Sequence, residues 1–571
     1  MEPPRRLATT IVLGSLVLAA CAPGPSGRAV VEPASTQDSR GAPKRITAAI
    51  QGEPLTLYEN INHAGGGSAP GVDSLETMIN MGLVAVDSHS VLQPALAEAV
   101  PGTDNGLWRL LPDGRMETTW RIRDGASWHD GRPFTSADVL FTVQVETDRD
   151  VPVRRADGYQ YFESIEAADS QTVTVRWKQP YIWADRAFTS PFMPMHLLGR
   201  AYEENKANFT QLALWSEEFV GTGPYRVREF ARSIQATLNA NPTFVLGKPA
   251  IDEIVVRFIA DSNTLIANVL AGEIDVLLQG SGRGLSLEQA LQVRDQWREG
   301  TLQIKYASWF VVYPQFHNPS NPIVLDVQFR RALLHAIDRQ QLVDSLQGSM
   351  TSVAHAFLSP NEPEYQQIQS RIAKYEYDPR RAAQIIEGLG LSRGVDGAFR
   401  DRAGQPLQLE ARTTSSDLYQ KTLFALTDFW QNAGIGIDPV VVPPQRTNDR
   451  EYRANFPALD VTGQPNRLGD LFQYFHSSEA RTAENSFTGE NRARYRSPDL
   501  DRLLDRFTVT IPRAERAAVL GDVMAYMTEQ LNVLGLYYTV SPTLIGNRLV
   551  NSQPSGEGGN QAWNVHQWDV K

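Results

Sequence analysis

The chain has 571 residues, 42% of them hydrophobic, one cysteine and a formal charge of −11. That length suffices for two or more packed domains, and a single thiol excludes an internal disulfide framework. With the acidic balance spread along the chain and no basic block, neither nucleic acid nor an anionic bilayer is an expected partner.

Arg5 and Arg6 precede an apolar run, Leu7 to Leu18, that suits a signal peptide but is too short and interrupted to span a bilayer. Small residues, Ala19 and Ala20, come next, then the lone Cys21. Leu18-Ala19-Ala20-Cys21 resembles the bacterial lipobox. The resemblance implies cleavage before Cys21, a diacylglycerol on its thiol and stable anchoring to a membrane. An ordinary secretory peptide with an incidental cysteine, or a cysteine buried near the amino end, is the alternative. Residues 1–20 are thus read as a signal peptide. Residues 21–43, rich in Pro, Gly, Ser and Ala with little to bury, are read as a lipid-anchored flexible linker. No later apolar run is long enough to cross a membrane.

Short strand-like runs alternate with amphipathic helices beyond the linker. "ITAAI" (46–50) reads as a strand, and the loop 51–71 follows it, with Gly65-Gly66-Gly67 as its mobile part. "WRIRDGASWHDGRPFTSADVLFTV" (120–143) reads as a strand, turns at Asp124-Gly125 and Asp130-Gly131, and a helix capped by Thr135 with Asp138. "TVTVRW" (172–177) and "IDEIVVRFI" (251–259) are strands, and "LNVLGLYYTV" (531–540) ends in one. Asp338 with Gln341, Asp378-Pro379 and Ser497-Pro498 mark three more helix starts. The pattern is mixed α/β without a solenoid repeat.

The 120–143 segment closely resembles the signature of bacterial extracellular solute-binding proteins of the dipeptide, oligopeptide and nickel type. The resemblance continues in order through "GTGPYRV" (221–227), "NPTFVLGKPAIDEIVVRFIAD" (241–261), "LAGEIDV" (270–276), "DVQFRRALLHAIDRQQLV" (326–343), "YDPRRAAQIIEGLG" (377–390) and "SPDLDRLLD" (497–505). It implies a large type II periplasmic-binding-protein fold of two lobes that close on a ligand. Lobe I is expected over 44–82, 212–308 and 535–571, with an extra subdomain at 83–211, and lobe II over 309–534. It also implies a non-enzymatic, extracytoplasmic monomer that hands a small solute or short peptide to an ABC permease with its ATPase subunits. A receptor or chaperone-like sensor on the same fold, without obligatory transport, is the runner-up.

The residues themselves offer no catalytic centre. None of the nine histidines falls in a metal-ligand spacing, no GxSxG elbow is present, and "GSGRG" (280–284) lacks the Lys-Ser/Thr of a phosphate loop. No cofactor and no metal are expected, and His129 and Asp130 are read as turn-forming. Ligand contacts are expected from Trp309 in the chain crossing to lobe II, from Glu53 and Tyr58 in the loop after the first strand, and from Thr222. Strand alternation places Tyr306, Ser308 and Phe310 on one face, Ala307 and Trp309 on the other. Peptide-binding members resemble one another in a Gly-Trp-x-x-Asp-x-x-Asp-Pro segment whose first Asp receives the peptide amine. Here the stretch is "GQPNRLGDL" (463–471), with Asp470 kept and Arg467 at the amine position. A guanidinium cannot accept an ammonium and suits a carboxylate, a phosphate or sugar hydroxyls. An anionic or polyhydroxylated solute is therefore expected. Should the alignment slip, Asp460 or Asp470 is the carboxylate instead, and Arg467 is a surface residue paired to a neighbouring acid.

Overall fold

The computed structural model describes residues 43–64, 68–278, 284–556 and 558–571. The signal peptide, Cys21, nearly all of the linker, Gly65-Gly66-Gly67 and most of "GSGRG" lie outside the described residues. Fourteen strands build the two main sheets. They are β1 (Arg45–Ile50), β2 (Trp108–Leu110), β3 (Met116–Arg121), β4 (Phe162–Ala167), β5 (Thr172–Trp177), β6 (Tyr225–Ala231) and β7 (Gln235–Ala240), then β8 (Glu253–Phe258), β9 (Val276–Leu277), β10 (Gly300–Pro314), β11 (Gln408–Thr413), β12 (Gly436–Val441), β13 (Leu459–Gln464) and β14 (Leu534–Gly546). Six helices matter for the argument: α1 (Ser136–Thr147), α2 (Arg339–Leu346), α3 (Pro379–Gly388), α4 (Asp417–Asn432), α5 (Pro498–Val509) and α6 (Arg513–Gln530).

Ten strands form one sheet in the order β12-β11-β13-β10-β14-β9-β1-β8-β7-β6. β10 and β14 lie at its middle as an antiparallel pair from Gly300↔Gly546 to Val312↔Leu534. At one end β14 meets β9 of lobe I, and at the other β10 meets β13 of lobe II. Both crossings between lobes are thus strands of one continuous sheet. The apolar runs read from the sequence fall where β1, β5, β8 and β14 form.

The crossing pair corrects one expectation. Its register passes from Tyr306↔Val540 to Ser308↔Thr539, so Ala307 is an extra residue, a β-bulge. The bulge resets the alternation. Tyr306 packs toward the same core as Trp309, while Phe310 joins the opposite core of lobe II. A period-2 reading cannot anticipate an inserted residue.

The helix starts follow the local signals. Asp138 accepts from the Thr135 backbone N–H at 2.9 Å. Asp338, Asp378 and Ser497 each cap α2, α3 and α5 by accepting from the N–H three residues on. These bonds satisfy donors that every helix start leaves open.

The subdomain sheet has the order β2-β3-β5-β4, with α1 packed against it. Trp120, Trp177 and Phe188 fill its centre, with Trp120 edge-on to Phe188 at 5.2 Å between ring centres. Two sequence motifs meet at its border. His129 Nδ1 accepts from Gly221 N–H at 3.2 Å, so Nε2 carries the proton it gives to Gly223 O at 3.0 Å. Burial holds this imidazole down to about 4, hence neutral. A Cβ at position 223 would lie 2.4 Å from the Ile79 carbonyl carbon, so only glycine fits this approach.

Candidate functional site

The crossing strands floor a cavity of about 70 Å³ walled by both lobes. β10 contributes Lys305 and Tyr306, lobe II contributes Asn361, Asn466 and Arg467, and the segment 554–556 closes it from lobe I. Tyr306 stands edge-on to Tyr538 of the partner strand at 5.5 Å between ring centres. Serine hydroxyls and asparagine amides make this lining polar. Beside it lies a larger cavity of about 340 Å³ between the subdomain and lobe II. Ser90 borders both cavities, and Leu468 of the larger one follows Arg467 of the smaller. The two form adjoining compartments of one interlobe cleft.

Arg467 and Asp470 are brought together. Arg467 Nε and Nη2 donate to the two Asp470 oxygens at 2.8 and 3.1 Å. The short turn Leu468–Asp470 sets this spacing by returning the chain within three residues. The guanidinium thus faces the cleft already paired with an acid. Asp460 is elsewhere: it points from β13 into lobe II and accepts from Arg492 Nη1 at 2.7 Å.

Asp470 itself lines neither cavity, and nor do the other four expected contacts. Trp309 is 1% exposed and packs edge-on to Phe357 at 5.4 Å. Its position on β10, one residue before Phe310, turns it into the core shared with the subdomain. Tyr58 is fully buried and donates to Glu146 at 2.8 Å. Thr222 is buried, and its hydroxyl bonds Asn80 Oδ1 at 3.0 Å, fixing the loop that precedes β6. Glu53 accepts from Ser233 at 2.8 Å within lobe I. Tyr58 and Thr222 serve packing and loop geometry because their polar groups are satisfied inside the protein, while Glu53 makes its bond at the surface. Trp309 differs in that its indole N–H is buried without a partner.

Sequence reasoning missed Tyr306, Asn361 and Asn466 at the smaller cavity and Trp183, Arg186, Arg513 and Arg516 at the larger. Except for Asn466, beside Arg467 in the 463–471 stretch, they belong to no motif, and segments hundreds of residues apart assemble them. Among the described residues there is no cluster of His, Cys, Asp and Glu suited to a metal, and no helix long and apolar enough to cross a membrane.

Residues 91–481 match the family model described as "Bacterial extracellular solute-binding proteins, family 5 Middle". The chain belongs to this family. Family 5 proteins are solute binders and not enzymes, and the two-lobed fold is theirs. The oligopeptide-binding protein AppA of Bacillus subtilis is 21% identical, over 93% of this chain and 92% of that one. Among solved structures, NikZ of Campylobacter jejuni in complex with Ni(L-His) has a TM-score of 0.64 at 21% identity, covering 93% of this chain and all of that one. The substrate-binding protein CtaP of Listeria monocytogenes reaches 0.70 at 18% identity, covering 92% of this chain and 99% of that one. At these identities the structural likeness establishes the family 5 fold and leaves the solute open.

Proposed function

We propose that this chain is an extracytoplasmic receptor that closes two lobes on a small polar solute and delivers it to an ABC importer, tethered by a lipid on Cys21. The observation that carries the reading is the cavity on the crossing strands with walls from both lobes. A solute there gains contacts in the closed form that it lacks in the open one, and only such a difference can drive closure. The division into lobe I (44–82, 212–308, 535–571), its subdomain (83–211) and lobe II (309–534) belongs to the same reading. Separate buried clusters around Ile254 and around Leu423 support the division between lobes I and II, while the subdomain shares a third cluster with lobe II.

The solute class follows from Arg467. AppA is named for oligopeptides and NikZ holds Ni(L-His), so related chains serve chemically different solutes. A peptide amine brought beside Arg467 meets a cation whose neighbouring carboxylate, Asp470, is already engaged by the guanidinium. The paired Arg467 and Asp470 offer donors and acceptors to an anionic or polyhydroxylated solute. This chain is accordingly not a general peptide binder.

Calorimetry with mixed di- to pentapeptides should show no micromolar binding. A solute recovered from a cell extract should instead compact the protein in solution scattering. At a hundredfold excess over Kd it should stabilise the fold by about 2.7 kcal/mol. Micromolar peptide binding that survives Arg467→Ala and disappears in Asp470→Ala would overturn the solute assignment. The tether has its own test: the mature protein should begin at Cys21 and partition into detergent, and Cys21→Ser should release it or leave it unprocessed. A freely water-soluble wild type beginning beyond Cys21 would remove the anchor from the reading.

A further inference from the structure

The larger interlobe cavity carries a charge pattern that the Arg467 reading does not use. Trp183 forms part of its wall, with the guanidinium carbon of Arg186 5.0 Å and that of Arg516 6.0 Å from the ring centre. Arg513 and Arg516 sit in the first turn of α6, an 18-residue helix whose positive end they share. Two acids, Asp185 and Glu364, also border the cavity, so the three arginines are one in excess. Asp185 is not available to a cation. Its Oδ1 is shut inside the protein without a partner, and its Oδ2 lies 3.5 Å from Arg513. Arg513 makes that one ion pair and its side chain is 73% exposed, so most of its fork is open. Leu468, Phe507 and Leu520, all buried, supply an apolar floor.

We propose that this cavity is a binding site for an anionic head group, carboxylate or phosphate, carried on a flat apolar body. The head lies against the open fork of Arg513, whose planar guanidinium matches the paired oxygens of either group, and beside Arg516, whose Nη1 already donates to Ile511 O at 3.1 Å. The body lies against Trp183 and the apolar floor. A volume of about 340 Å³ admits a ring with a short side arm. Trp183 and Arg186 come from the subdomain, Arg513 and Arg516 from lobe II, so such a ligand bridges the cleft. The proposal rests on the reading that solutes are held between closing lobes, and it defines one class of them.

The test is calorimetry on the whole mature protein with four probes that share a phenyl body: hydrocinnamate, phenyl phosphate, phenethylamine and phenethyl alcohol. Saturable binding of the two anions is expected, with none of the amine or the alcohol. The tighter anion identifies the head group as carboxylate or phosphate. Arg513→Gln should weaken the anions at least tenfold, and Arg513→Glu should abolish their binding. Arg200→Gln, which removes an exposed subdomain arginine paired only to Glu204, should change nothing. Arg513 is exposed, so its variants are expected to fold, and circular dichroism checks this. Amine binding as tight as that of hydrocinnamate, or anion binding indifferent to both Arg513 variants, would overturn the site. Scattering separates the two readings. Arginine-dependent binding without compaction would sink lobe closure and leave the anion site standing.

Discussion

Asp460→Ala is expected to destabilise lobe II by about 3–5 kcal/mol, the usual consequence of leaving one member of a buried ion pair alone. Asp460 and Arg492 side chains are only 6% and 17% exposed. Nothing else near Arg492 replaces the carboxylate. Arg481 is held down to about 10, first by burial and then by the Arg492 charge, and burial and Arg492 likewise lower Arg453. Removing Asp460 therefore leaves Arg492 facing Arg453 and Arg481 in a low-dielectric interior, with Glu490 paired to Arg481 at 3.3 Å. Hydrogen exchange of β10 and β13 reads lobe II separately, which matters because a protein of several lobes need not unfold in one step. The double variant Asp460→Ala/Arg492→Met should recover most of the loss, since it removes the stranded charge as well. A double variant no more stable than the single one would show that the pair does not act as a unit. The same experiment bears on the ligand: Asp460 is expected to act on stability and not on solute affinity.

Between about pH 4.5 and pH 7 Glu146 should lower stability as pH rises, against the opposite contribution of His129 and His355, whose imidazoles burial holds down to about 4. Glu146 is buried between the segment carrying Tyr58 and Asn60, both of which donate to it, and the Ala156 N–H at 3.1 Å. Burial pushes its carboxyl from 4.5 up to about 7, against the lowering pull of those hydrogen bonds and of Arg154. The folded state thus holds a proton that the unfolded chain releases. Below about pH 4.5 both states are protonated and the effect is absent. Between that point and about pH 7 the unfolded state is increasingly favoured, and above it the loss is complete. The full effect is about 3 kcal/mol. The stability of Glu146→Gln relative to the wild type should rise with pH over this range, measured by urea unfolding between about pH 5 and pH 8. Asp73, pushed up to about 6 by burial, and Glu76, also raised by burial, add contributions of the same sign. An identical profile in the variant would show that Glu146 does not hold the proton.

Local signals in the sequence were reliable where the physics is local. A strand such as Thr172–Trp177 and a start such as Asp378-Pro379 are decided within a few residues, and both form as expected. The two-lobed layout was legible through motifs that recur in order along the chain. The site was legible only in part. Arg467 borders the smaller cavity and Asp470 pairs with it, as the spacing of their segment allows. Trp309 could not be placed, because which face of β10 it takes depends on a bulge at Ala307 that no periodicity reveals. Tyr58 and Thr222 follow a motif, yet their hydroxyls are taken by Glu146 and Asn80, partners distant in sequence. The Trp183 and Arg516 wall comes from parts of the chain that nothing in the sequence connects.

The shared sheet also dictates an order of assembly. β1 and Trp568 are packed in one buried cluster with Ile254 and Ile545. Lys44, just before β1, bonds Asp569 at 2.6 Å across a separation of 525 residues. Lobe II, by contrast, draws its strands and helices from a single stretch bounded by the two crossing strands. Chains are made from the amino end, and early domains ordinarily fold while later ones are still being synthesised. Here the sequence of events is inverted. The earliest strand to emerge waits for β8 and β9 to pair with it, and part of its face is packed by residues that arrive last; contacts of such long range form slowly. Until residues 545–570 arrive, the apolar face of β1 is left without its final cover. That interval, rather than any weakness of the finished protein, is when a newly exported chain is most open to proteases and most in need of a holding chaperone.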